Sequence, residues 1–178
     1  MKQSDIALAT RTAILDSACR VVLDRGVNAL TLDSAALEAG VSKGGLLYHF
    51  PNKNRLIEGM IERLVSAFDL ALERELARYN GNWLSAYIHA SFVSDPKYSQ
   101  LSTALFAAIA GDPKLLKPLQ DHFLKWQRKA EESAPSPEMG TIIRLAMDGL
   151  WVSDLLGFAP PPPAMRKKML KTLLEMMK

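Results

Sequence analysis

Apolar residues near the start of the chain recur at helical spacing. Ile14, Ala18, Val21 and Val22 keep an i, i+4, i+7, i+8 stripe, the pattern of a helix that buries one face. Gly26 stands where a C-terminal cap belongs. Thr31 is a good N-cap for a following helix, and Asp33 falls in its first turn, where the helix dipole favours a carboxylate. A longer helix is predicted from Lys53 to about Tyr79. Its stripe is Ile57, Ile61, Val65, Phe68, Leu72 and Leu76, and Asn80-Gly81-Asn82 closes it. Beyond Gly81, prolines at Asp95-Pro96, Gly111-Asp112-Pro113, Pro135-Ser136-Pro137 and Pro160 to Pro163 divide the chain, because each disfavours helical geometry in the residue before it. The helical segments between them are Trp83–Ser94, Tyr98–Ala110, Lys114–Ser133, Glu138–Phe158 and Ala164–Lys178. No strand-like alternation of useful length and no internal repeat is present, so the pattern predicts an all-α protein.

The most informative chemistry lies between Thr31 and Lys53. The segment TLDSAALEAG is followed at once by VSKGGLLYHFPNK. Two short helices joined at Ala39-Gly40-Val41 describe a helix-turn-helix, whose turn often contains glycine. The second helix has the parts a major-groove reader needs. Ser42 can cap it, Lys43 carries charge, and Gly44 and Gly45 remove side chains that would hold the backbone away from bases. Tyr48, His49 and Lys53 supply a hydroxyl, an imidazole and an ammonium that can reach phosphates. Thr31 adds a capped helix N-terminus, which also presents N–H groups to a phosphate. The expected DNA-contacting set is therefore Thr31, Ser42, Lys43, Gly44, Gly45, Tyr48, His49 and Lys53. Phe50 is read as core, closing the head against Ile14, Ala18 and Leu56.

These residues resemble the DNA-binding domain of the tetracycline-repressor (TetR) family of bacterial transcriptional regulators. The resemblance covers Arg11 to Leu56, about the first third of the chain. It is carried by Arg11, Ile14, Leu15, Ala18 and Val22, then Gly26 and Thr31, then Gly40-Val41-Ser42, and finally Leu46, Tyr48, His49, Phe50 and Lys53. Two positions depart from the family pattern. Gly45 replaces a threonine, asparagine or alanine, and weakens the helix by about 1 kcal/mol relative to alanine, which predicts a recognition helix fully ordered only on DNA. Leu47 stands where the first aromatic is usual, removing any contact through a tyrosine hydroxyl there. The resemblance implies a three-helix head, residues 1–55, joined by a long helix to a larger helical ligand-binding and dimerisation body, residues 56–178.

Composition changes this picture little. The 178 residues are 48% hydrophobic and 23% charged, as in an ordinary globular protein. The net charge is only +3, so a DNA reading rests on where charges sit and not on their sum. No apolar run approaches the ~18 residues of a membrane span, and no secretory signal is visible. The single cysteine, Cys19, excludes an intrachain disulfide and suits a reducing cytoplasm. The three histidines lie far apart in sequence with no metal-ligand spacing, and no Walker-type loop occurs. Neither a cofactor, a metal site nor a catalytic constellation is expected.

The body carries large apolar side chains and few polar ones. Tyr87, Ser91, Phe92, Phe106, Phe123, Trp126, Met147 and Trp151 are the candidates for the wall of a pocket. A packed core is the alternative reading of each. His89, His122 and Asp148 are further polar groups able to orient a ligand. In 138–158, Ile143, Leu150 and Leu155 alternate with small Ala146, Gly149 and Ser153. In 164–178, Met165, Met169, Leu173 and Met176 lie beside Arg166, Lys167, Lys168 and Lys171. The resemblance implies that this pair forms a four-helix bundle with its copy. The whole then reads as a cytoplasmic, homodimeric regulator that binds a palindromic operator in double-stranded DNA and is released by a small hydrophobic molecule. Two rivals are a DNA-binding regulator without a small-molecule inducer and a helical enzyme or carrier.

Overall fold

The computed structural model describes residues 3–93, 102–106 and 113–177. Its helices are α1 (Gln3–Arg25), α2 (Leu32–Ala39), α3 (Lys43–His49), α4 (Lys53–Leu76), α5 (Trp83–Phe92), α7 (Lys117–Ser133), α8 (Pro137–Leu156) and α9 (Pro163–Glu175). Residues 102–106 are helical and are labelled α6. Short 3₁₀ turns occupy Val27–Ala29 and Pro113–Leu116. No strand occurs among the described residues, and the all-α reading holds. Boundaries at Asp95-Pro96 and Gly111-Asp112, and the ends of the segment Tyr98–Ala110, lie outside the described residues.

The prolines act as helix starters as well as breakers. Pro137 is the first residue of α8 behind the N-cap Ser136, whose hydroxyl accepts the Met139 N–H, and Pro163 opens α9. A missing N–H costs nothing in the first turn, where it would have no partner. α4 stops at Leu76, a turn short of Tyr79. Asn80 and Gly81 take left-handed backbone, φ 50° and 79°, and the Gly81 N–H returns to the Leu76 carbonyl at 2.9 Å.

Two compact units form. The first is Met1–Leu64 with Ser99–Leu119, and the second is Val65–Tyr98 with Gln120–Lys178. This divide falls within α4, beyond the 55/56 boundary drawn from the motif. Leu56, Ile57, Met60, Ile61 and Leu64 are all buried, so the first turns of α4 are core of the head.

In the first unit α1 packs on α2 and α3, burying Ile14, Leu15, Ala18 and Val21 with Leu30, Ala35, Leu46 and Phe50. Ion pairs fix how the helices sit. Glu38 of α2 holds Arg20 and Arg25 of α1 at 3.2 and 2.6 Å. Arg63 of α4 meets Asp16 at 2.5 Å, and Arg11 meets Glu62 at 2.8 Å while lying over the Phe50 ring. Exposed pairs contribute about 0–1 kcal/mol each, so the apolar core supplies the stability and the pairs set orientation.

In the second unit α5 packs on α8 and α9. Trp83, Leu84, Tyr87, Ile88, Trp126, Ala130, Ile143 and Met147 are buried there. Gly140 lets two helices approach closely: a Cβ on it would lie 2.4 Å from the Ala130 carbonyl oxygen and 3.0 Å from Glu131 Cα. Those are backbone atoms, which cannot step aside. Gly140→Ala is therefore expected to destabilise by about 1–3 kcal/mol, read as a lower denaturant or thermal midpoint. A variant melting at or above wild type would show that α7 and α8 do not meet there.

Candidate nucleic-acid interface

Local hydrogen bonding sets the two helices of the motif. The Thr31 hydroxyl accepts the Ser34 N–H at 3.0 Å, and the Ser34 hydroxyl oxygen accepts the Thr31 N–H at 2.9 Å. This reciprocal cap satisfies donors that an α-helix leaves open at its start. α2 ends on Gly40 in the left-handed region, φ 66° and ψ 28°. The Val41 N–H reaches back to the Ala36 carbonyl at 3.0 Å, closing the end as a Schellman-type turn does. One residue later the Ser42 hydroxyl accepts the Gly45 N–H at 3.0 Å and starts α3.

α3 spans Lys43–His49 although it carries Gly44 and Gly45. Burial of Leu46 and Phe50 accounts for this: neither is more than 2% exposed. Gly45 also fits its place, since a Cβ there would stand 3.2 Å from the Ser42 hydroxyl that caps the helix. On the other side of α3, Ser42, Lys43, Gly44, Leu47 and Tyr48 are exposed, and Tyr48 is 81% exposed. Thr31 is exposed at the start of α2, whereas Gly45, His49 and Lys53 are half-buried. His49 meets the Tyr48 ring edge-on at 5.1 Å. Lys53 opens α4, next to Asn52, whose side chain accepts the Arg55 N–H at 2.9 Å.

One partner was missed from the sequence. Asp33, assigned only to the helix dipole, lies 2.9 Å from the Lys43 ammonium through Oδ1 and 3.1 Å through Oδ2. The two residues are ten positions apart and meet only because the Gly40 turn folds α2 beside the start of α3.

Seven of the eight pocket candidates fall in the second unit, and Phe106 falls in the first. Tyr87 is buried, stacked on Trp83 at 4.9 Å and edge-on to Phe68 at 5.3 Å. Trp126 is buried against Phe68 and Phe123, with ring centroids 5.0 and 5.1 Å away. Met147 is buried, while Phe92, Phe123 and Trp151 are half-buried. The Ser91 hydroxyl donates to the Tyr87 carbonyl at 2.8 Å. Arg144, Gln127, Asp69 and Glu75, which sequence reasoning left out, are the partners of the polar groups it named and of Trp126. The Tyr87 hydroxyl donates to Asp148 at 3.0 Å, and Arg144 bonds both Asp148 and Gln127. Asp69 receives the Trp126 indole N–H at 3.1 Å and lies 2.9 Å from His122 Nε2. His89 Nδ1 lies 3.1 Å from Glu75. No helix among the described residues is long and apolar enough to cross a membrane, and none of their acidic, histidine or cysteine side chains cluster as a metal site.

Comparison with known proteins places both parts of the chain. Residues 14–60 match the model of bacterial regulatory proteins of the tetR family, and residues 81–178 match the tetracyclin repressor-like C-terminal domain. The HTH-type transcriptional repressor BepR of Brucella suis is 44% identical over 57 residues, 32% of this chain and 27% of that protein. The match thus spans well under half of that relative's length. Among solved structures, a TetR-family member from Streptomyces coelicolor superposes with a TM-score of 0.73 at 20% identity, covering 92% of this chain and 97% of the other. The multidrug binding protein EbrR, complexed with malachite green, gives 0.72 at 18%, covering 94% and 98%. These two establish likeness of fold.

The Asp148 carboxyl has a pH consequence. Burial pushes its pKa above the ordinary aspartate value, opposed by the Arg144 charge and the Tyr87 hydrogen bond. A folded-state acid pKa above the unfolded one means that ionisation disfavours the fold. The cost is absent below the ordinary aspartate pKa and grows as pH rises through the folded value. Asp148→Asn is therefore expected to gain thermal stability relative to wild type as pH rises through that window. A stability difference that stays flat or moves the other way would contradict desolvation of the half-buried Asp148 carboxyl.

Proposed function

The chain belongs to the TetR family of transcriptional regulators, and on that premise we propose that it is a homodimeric repressor of a palindromic operator. Members of the family are DNA-binding regulators and not enzymes. The observation that carries the reading is the two-sidedness of α3. Leu46 and Phe50 anchor one side in the head core, and the other presents Lys43, Gly44 and Tyr48 to the surroundings. A helix held this way can enter a major groove without losing its packing. Lys43 and the backbone at Gly44 and Gly45 sit nearest base edges, where bidentate donors discriminate guanine. Thr31, Ser42, Tyr48, His49 and Lys53 grip phosphates, which fix register without specifying sequence. Such a protein works in the cytoplasm, where bacterial DNA lies.

Exposed apolar residues on α8 and α9 support the dimer. Ile142, Leu145 and Leu156 are each more than half exposed and share a stripe with the exposed small residues Ala146 and Gly149. Met165 on α9 and Met176 just past its end are exposed. An apolar stripe left in water is favourable to cover, and small residues let the covering helices come close. Two heads then meet half-sites about one helical turn, or a multiple of it, apart. Release by a small hydrophobic molecule is the remaining part of the reading. The aromatic cluster of Tyr87, Trp126, Phe123 and Phe68 supports an apolar effector, as does the fold shared with a multidrug binding protein. The effector acts only if it binds the DNA-free conformer more tightly.

Selection of duplexes from a random pool, followed by binding of the winner across a salt series, tests the reading. A palindrome bound by a dimer, with affinity falling steeply as salt rises, is expected. No enriched sequence would sink it. Lys53→Ala should weaken binding about equally on all sequences and flatten the salt slope by about one unit, whereas Lys43→Ala should also change sequence preference. Ile142→Arg should shift the chain to monomer in sedimentation and lose operator binding while the heads stay folded. A dimeric Ile142→Arg variant would exclude this face as the interface.

A further inference from the structure

We infer that Asp33 is a positioning residue for sequence discrimination, acting through Lys43. The inference rests on the DNA-binding reading of α3. Asp33 lies in the first turn of α2 and Lys43 is the first residue of α3. Both carboxylate oxygens stand within 3.1 Å of the ammonium. The side chains are 69% and 62% exposed, so this pair is no stability device; screening by water leaves such pairs little net energy. Its position is the informative feature. Any surface that Lys43 touches lies within one side-chain length of Asp33.

On a duplex that surface is a polyanion, with one negative charge per ~1.7 Å of helix axis. A carboxylate placed there lowers affinity for every sequence unless it does something selective. Non-specific binding comes almost wholly from neutralised phosphates, and the Asp33 carboxylate beside the ammonium offsets the attraction that Lys43 would add to it. The same ammonium, held at the start of α3, is presented to base-edge acceptors such as guanine O6 and N7 instead of sweeping across nearby phosphates. Asp33 thus takes away affinity that any sequence would receive and leaves the contact that depends on sequence. The head offers few other devices of this kind. Arg11, Arg20, Arg25, Arg55 and Arg63 are each paired with a carboxylate of the head, and of all these pairs only Asp33–Lys43 joins α2 to the exposed start of α3.

The test uses the full chain, its selected operator and a random-sequence duplex of equal length. Asp33→Asn is expected to raise affinity for the random duplex about tenfold and steepen its salt slope by about one unit. Affinity for the operator should rise threefold or less, so discrimination falls. Asp33→Glu, which keeps the charge, should keep most of the discrimination. In a Lys43→Ala background Asp33→Asn should leave the ratio unchanged. Equal rises on both duplexes, whether or not Lys43 is present, would make Asp33 a simple repulsive charge and overturn the inference. An unchanged ratio in Asp33→Asn would overturn it too, with operator binding by wild type leaving the DNA reading intact. Wild-type protein that fails to discriminate at all would overturn both. Circular dichroism and melting of each variant separate these results from a lost fold.

Discussion

A seven-residue helix carrying two glycines does not hold itself together in water. Isolated helices shorter than about a dozen residues are marginal even when alanine-rich, and each glycine costs a further ~1 kcal/mol. α3 exists because Leu46 and Phe50 lie buried in the head and because Ser42 and Gly40 fix both ends of the turn before it. Everything on the exposed side follows from that anchoring. Lys43, Gly44 and Tyr48 project from a backbone that is fixed from behind. Gly59 of α4 belongs to the same arrangement, since a Cβ there would lie 2.7 Å from the Phe50 ring. α4 therefore packs closely against the Phe50 ring, which follows α3 directly.

Electrostatics in the head complements that anchoring without driving it. Up to Leu64 the chain holds eight lysines and arginines against seven acidic residues, so no broad positive field draws it to DNA. Most of those arginines are spent on internal geometry, with Glu38 clamping α1 to α2 through two of them. On the proposed reading, recognition by such a head would depend on a few groups at fixed positions and on two heads acting at once. The proposed dimer would double the contact without adding non-specific charge to each subunit, which suits a head whose acidic and basic residues nearly balance.

The fold was legible wherever burial imposes a period. The stripes of α1 and α4 matched the buried residues Ile14, Ala18, Val21 and Ile57, Ile61, Val65, Phe68, and Gly40, Thr31 and Ser42 declared their capping roles by residue type. The start of α8 at Pro137 was legible only in part, because a proline ends one helix and opens the next with equal ease. What escaped were pairings set by tertiary geometry. Tyr87 and Asp148 are 61 positions apart and Trp126 and Asp69 are 57 apart, and no local pattern marks either acid as a partner. The Asp33 pairing with Lys43 escaped for a subtler reason. Its helix-dipole role was sufficient to explain an acid at that place, so nothing called for a second one.

The body shows how polar groups constrain what an apolar cluster can accept. Asp148 is committed to Tyr87 and Arg144, Arg144 also to Gln127, and Asp69 to Trp126 and His122. A buried polar group that loses its partner costs about 1–3 kcal/mol, so a molecule that broke these bonds would have to replace them atom for atom. An apolar molecule that left them intact would instead be held by apolar contact alone. Selection by shape and apolar area discriminates weakly between similar molecules, since one methylene is worth only about 1 kcal/mol. On the proposed reading, polar groups committed to one another thus leave shape and apolar area as the features by which an effector would be selected.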